Sequence, residues 1–187
     1  AVELDPECAL AHAGLGVCYS GTGRRQLAIQ SATRAYELRQ RTTDPERFFI
    51  EYAYDRDVTG NLERELRTLE TWAESYPRDA LPHGLIGGLA ASSTGKSELA
   101  IAEADKAIAL DPDMPAAYSN KAFHQLLLNR PDEALLTVGR SRERNLNADN
   151  LLLVPYFVAF LKGTDDELRR TAEEARKDRP TEDIISH

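Results

Sequence analysis

The chain has 187 residues, 42% hydrophobic and 29% charged, a balance that suits a folded chain with a core and argues against disorder. Its 31 acidic and 23 basic residues give a net charge of −8, so the basic footprint of a nucleic-acid module is missing and no nucleic-acid partner is expected. No run approaches the ~18 apolar residues of a membrane span, so no membrane partner is expected either.

The opening residues, Ala1 to Leu10, contain no basic region and no long apolar run, so they do not read as a secretory signal. With Ala at position 1 and the single Met at 114, the chain is expected to be an excerpt from a longer protein. Cys8 and Cys18 are ten positions apart, roughly 15 Å along one helix, against the ~7 Å a disulfide tolerates. Free thiols follow, which fit a reducing cytoplasm.

From residue 9 onward the pattern is helix, turn, helix. First helices are expected near 9–21, 45–58, 81–93, 115–127 and 149–161. Their second partners are expected near 24–39, 61–75, 96–109, 131–144 and 164–178. Pro131 falls in a first helical turn, where its missing N–H costs little. Pro155 falls inside a helix and is expected to kink it or delay its start. The turn residues Gly23, Gly60, Gly95, Asn129 and Gly163 each precede by five positions Ala28, Glu65, Ala100, Ala134 and Leu168. The intervals between those second members are 37, 35, 34 and 34 residues. A period of this length marks a stacked helical-pair repeat.

The residues in each period extend the pattern. The first holds His12, Leu15, Gly16, Tyr19, Gly23, Ala28 and Ala35; the third holds Gly88, Gly95, Ala100, Ala107, Leu110 and Pro112. The fourth keeps Tyr118, Ala122 and Ala134, and the fifth Ala172, Ala175 and Pro180. The second diverges: it keeps Gly60, Trp72 and Pro77 but has Glu65 where a small residue is usual. Together these resemble the tetratricopeptide repeat family. The fold the resemblance implies is all-α, a right-handed α-solenoid of about five helix-turn-helix repeats. The chain is then a single array over 1–187, with repeats at about 9–45, 46–80, 81–114, 115–148 and 149–182. Residues 1–8 form the tail of a preceding repeat. The second repeat, with Arg47-Phe48-Phe49-Ile50-Glu51, Ala53-Tyr54, Thr59 to Glu63 and Tyr76 to Asp79, resembles arrays appended to bacterial serine/threonine protein kinases and transcriptional regulators. The resemblance implies a bacterial signalling or regulatory parent and no catalysis in this segment.

Residues 90–97, Ala-Ala-Ser-Ser-Thr-Gly-Lys-Ser, fit a relaxed phosphate loop, and Leu85 to Leu89 can pass as its leading strand. Against that, Gly95 has the same place in the period as Gly23 and Gly60. The nucleotide-binding reading through Gly95-Lys96-Ser97 therefore stands as the remote alternative. His12, His83, His124 and His187 have no helical metal-ligand spacing, and no G-x-S-x-G elbow exists. No catalytic residue, metal or cofactor is expected. Asp165-Asp166-Glu167 read as helix-opening charges and Arg140 to Arg144 as a solvated helix end.

What remains is a surface. The family's usual ligand-facing places fall on first helices. Here they give Arg47, Ile50, Tyr54, Asp57 and Val58 in the second repeat, Leu85, Leu89, Ser92 and Ser93 in the third, and Ser119, Phe123, Leu126 and Leu127 in the fourth, with Asn120 alongside. The fifth gives Leu153, Phe157, Phe160 and Leu161. The Lys and Asn set with which chaperone-binding relatives clamp a carboxylate is missing. An apolar, aromatic stripe remains, with two readings: burial against a neighbouring helix, or a groove for a protein or peptide partner. The candidate groove is Arg47, Ile50, Tyr54, Asp57, Leu85, Leu89, Asn120, Phe123, Leu127, Phe157 and Phe160. Self-association between copies is the other reading of the same surface.

Overall fold

The structure, a computed structural model, describes residues 2–90, 95–146, 149–163 and 165–177. All regular structure in these residues is helical. The chain divides into two compact units, Ala1–Pro82 and His83–His187.

The first unit contains α1 (Ala9–Gly21), α2 (Arg25–Leu38), α3 (Asp44–Tyr54) and α4 (Leu62–Ser75). A short 3₁₀ turn, Arg39–Arg41, follows α2, and a π-turn, Asp55–Thr59, extends α3. Thr43 and Glu46 form a capping box that satisfies free N–H groups at the start of α3. The Asn61 side chain accepts the Arg64 N–H and starts α4 in the same way. α1 packs on α2 and on α3, and α3 packs on α4, so successive neighbours stack stepwise. Ala9, Ala13, Ala35, Leu38 and Ile50 form the core where α1, α2 and α3 meet. Trp72 of α4 is buried and stacks on Phe48 of α3, ring centres 6.1 Å apart.

α5 (Ala80–Leu85) runs into a second π-turn, Ile86–Ala90. The second unit continues with α6 (Ser97–Leu110), α7 (Pro115–Leu127), α8 (Pro131–Glu143), α9 (Asp149–Lys162) and α10 (Asp165–Lys177). Again α6 packs on α7, α7 on both α8 and α9, and α9 on α10. Tyr118, Ala122, Ala134, Val138, Leu151, Val154 and Val158 form its core. These helices match the expected spans to within a few residues. The start of α9 is not delayed by Pro155: the helix runs unbroken from Asp149, with Pro155 in its interior. Leu151, Val154 and Val158 are buried on either side of it, and that packing offsets one missing backbone bond.

Two features explain the period. Gly23, Gly60, Gly95 and Gly163 have φ between +66° and +71°, and Asn129 has φ +57°. A left-handed residue that ends a first helix and reverses the chain is thus present in every period, with asparagine the non-glycine residue that tolerates it best. The second feature is close helix crossing. A Cβ on Gly16 would stand 3.4 Å from the Ala28 carbonyl oxygen, and one on Gly87 only 3.0 Å from that of Ala100. Gly16 precedes its turn glycine by seven positions, Gly87 by eight. The additional residue is absorbed by the π-turn Ile86–Ala90. The sequence pattern points to Gly88 as the crossing residue; the turn shifts that role to Gly87 and leaves Gly88 against Asn120.

Candidate functional site

In the first unit, the side chains expected to face a ligand are engaged inside the unit. Ile50 is fully buried in the core and has no surface to offer. Tyr54 stacks on Tyr36, centroids 4.0 Å apart. Arg47 donates to Asp44 one turn earlier, at 2.7 Å. The Asp57 side chain is only 7% exposed: Arg56 donates to both its oxygens, at 2.9 and 2.6 Å, and Ser20 of α1 donates at 3.0 Å. Arg56 also donates to the Tyr52 hydroxyl at 2.8 Å. Burial works against the charge of Arg56, but these partners hold its pKa above the ordinary arginine value. Arg64 donates through Nε to both oxygens of buried Asp55, at 2.7 and 2.8 Å. The period gave no sign of this ionic cluster, because its members fall on positions read as helix surface or turn.

The second unit is different. Asn120, Phe123 and Phe157, with Ser119, Leu126 and Leu153 from the same expected stripe, line a pocket of about 320 Å³ between α7 and α9. Phe123 is 49% exposed, Phe157 38%, Leu127 58% and Phe160 64%. Leu153 and Val154 are buried and form its packed base. The stripe is thus core at its base and open surface along its edge. The Ser119 hydroxyl is buried in the pocket wall and makes no hydrogen bond. Asn120 donates to the Gly84 carbonyl at 3.2 Å, which holds its amide across Gly88. Leu85 is half-buried. The Leu89 side chain, Ser92 and Ser93 lie outside the described residues.

The pocket also has members that the stripe did not include: His124, Asn150 and Val154. Each is close in sequence to a residue of the stripe, and the helix turns it far enough to share the wall. His124 is buried, and its Nδ1 lies 3.1 Å from Ser97 Oγ. Burial lowers its pKa, against a hydrogen bond to the Gly88 backbone that raises it. His83 and Glu103 pair at 2.6 Å between α5 and α6, with Lys106 on the other carboxylate oxygen at 2.7 Å. Burial would raise the pKa of Glu103, but these two partners hold it below the usual carboxylate range.

At the phosphate-loop match, Ala91 to Thr94 lie outside the described residues. The residues before them, Ile86–Ala90, are helical, whereas a phosphate loop follows a strand. Gly95 is the left-handed turn residue ahead of α6, and the Ser97 hydroxyl is engaged by His124. Cys8 and Cys18 are both free thiols. Among the described residues, no group of three or more His, Cys, Asp or Glu could hold a metal, and no helix is long and apolar enough to cross a membrane.

Stepwise stacked helix pairs with a left-handed turn in each period define a helical-repeat protein of the α-solenoid class. Residues 85–114 match the tetratricopeptide repeat family model. Over nearly its whole length the chain has the fold of a thermophilic TPR protein of Thermus thermophilus, at 16% identity and TM-score 0.72, covering 96% of this chain and 95% of that one. It is also similar to PilW, a widely conserved type IV pilus biogenesis factor, at 14% identity and TM-score 0.69, covering 99% and 84%. A chain of the APC/C hetero-tetramer Cut9-Hcn1 matches at 19% identity and TM-score 0.70, covering 99% of this chain and 36% of that one. No curated protein sequence matches the chain. The tetratricopeptide resemblance read from the sequence therefore stands, and with it the all-α solenoid fold. Proteins of this fold are in general non-catalytic scaffolds for protein–protein interaction.

Proposed function

We propose that this chain is a non-catalytic scaffold that binds a protein or peptide through the apolar face of α7 and α9. The observation that carries this reading is the pocket at Phe123 and Phe157. Two aromatic rings stand half-exposed over a packed base, beside a buried hydroxyl with no partner. Exposed aromatic anchors over a desolvated floor are what a hot spot requires. In this reading residues 1–187 are one array of five repeats within a larger bacterial signalling or regulatory protein of the cytoplasm. The divergent second repeat supports the parent class, and the two free thiols support the compartment.

Selection of peptides from a display library on the immobilised chain tests the proposal. Binders are expected to carry an aromatic or large aliphatic anchor and to lose at least tenfold in affinity, about 1.4 kcal/mol, on Phe123→Ala. Binders indifferent to Phe123→Ala and Phe157→Ala in folded protein would remove this surface from the account. Light scattering over a concentration series decides self-association: a dimer that Phe123→Ala dissociates would make a second copy the partner.

A further inference from the structure

Glu65 occupies the place in its period where the first and third repeats have Ala28 and Ala100. In those repeats a glycine crosses the alanine closely. In the second repeat Tyr52 stands eight positions before its turn glycine, as Gly87 does, and a π-turn again precedes that glycine. Two large polar side chains thus replace a pair of small ones. Glu65 is 1% exposed, and neither carboxylate oxygen accepts a hydrogen bond.

The surrounding charges do not balance. α4 packs against α3 and the π-turn, which present Tyr52, Asp55, Arg56 and Asp57 to it. α4 itself contributes Arg64, whose guanidinium is engaged by Asp55, with Tyr36 of α2 and Tyr54 of α3 nearby. Arg56 is engaged by Asp57. Each arginine has its own aspartate, and Glu65 is the third acid in a cluster with two cations. Asp57 also accepts the Ser20 hydroxyl, and so ties the π-turn to α1. On that side Ser20, Arg25, Arg56 and Asp57 line a polar pocket of about 320 Å³.

We propose that Glu65 is a proton-operated switch in the second repeat: protonated, it is tolerated between α3 and α4; ionised, it competes with Asp57 for Arg56 and loosens the Asp57–Ser20 tie. Burial, reinforced by Asp57 and Asp55 and opposed by Arg56, pushes the Glu65 pKa up to about 7. The folded value lies above the unfolded one. The stabilisation is therefore complete below the usual glutamate range and is lost as pH rises through about 7. The switch works across neutral pH, where unperturbed carboxylates do not titrate.

The experiment follows urea unfolding of the full chain and of Glu65→Gln at intervals from pH 5 to pH 8, with the Glu65 side-chain carboxyl carbon read by NMR. The ratio of wild-type to variant folding constants is expected to fall at least about tenfold across this range, the carboxyl to titrate near neutrality, and amide protection in residues 55–75 to fall with it. Glu65→Ala restores the small residue, so it is expected to fold and to lose the same pH dependence even if Glu65→Gln does not fold. A Glu65 carboxyl that titrates in the ordinary range overturns the proposal. So does a wild-type curve parallel to those of the variants, the signature of a merely structural role.

Discussion

Gly87 lies so close to Ala100 that a Cβ would stand 3.0 Å from the alanine carbonyl oxygen and 3.1 Å from the Ala104 nitrogen. Both obstacles are backbone, so neither can turn aside as a side chain would. Gly87→Val is expected to force the π-turn Ile86–Ala90 and α6 apart and to cost about 1–3 kcal/mol in urea unfolding. Gly139, inside α8, has nothing within 4 Å of its Cβ position. Gly139→Ala is expected to stabilise by about 0.5–1 kcal/mol, because only its helix propensity changes. Equal effects at the two glycines would contradict the close crossing.

That crossing shows how far the sequence could be read. The period was legible because turn residues and small residues have steric causes that any neighbourhood preserves. Gly95 and Asn129 needed no partner to be recognised. The shift from Gly88 to Gly87 was not legible, since a π-turn inserts its residue without leaving a mark in composition. Nor were the pairings of Arg56 with Asp57 and Arg64 with Asp55, which depend on where two helices meet. Phe123 and Phe157 could be placed on one stripe. Their exposure, set against the burial of Leu153 on the same stripe, needed the fold.

The capping box gives a second prediction. Thr43→Ala removes the hydroxyl that donates to Glu46 at the start of α3 and is expected to cost about 1 kcal/mol. Hydrogen bonds from the Thr43 backbone and hydroxyl hold the Glu46 pKa below its usual value. The folded value lies below the unfolded one, so the Glu46 contribution is present above the usual glutamate range and is lost as pH falls through its lowered value. The gap between wild type and Glu46→Ala should therefore narrow in acid; a gap independent of pH would contradict the cap.

His124 has the opposite polarity to Glu65. Burial lowers its pKa, so protonation favours the unfolded chain. Its contribution is present above the usual histidine value and is lost as pH falls through the lowered one. His124→Gln is expected to be less stable than wild type at pH 8, with the difference shrinking towards pH 5. A difference that grows in acid would place a protonated imidazole in the fold and contradict the burial that lowers its pKa.

Phe123 and Val154 line one pocket but differ in burial. Val154→Ala removes buried methyl groups and is expected to cost about 1–2 kcal/mol in stability. Phe123→Ala is expected to leave the urea midpoint close to that of wild type. A large loss of stability at Phe123 would make that ring core and withdraw it as an anchor.

Amide chemical-shift mapping of a selected peptide on the ¹⁵N-labelled chain tests the interaction surface most directly. Shifts are expected to concentrate on α7 and α9 around Asn120, Phe123 and Phe157, and to vanish in the Phe123→Ala protein at the same peptide concentration. Shifts confined to α1–α4, or unchanged by that substitution, would contradict it.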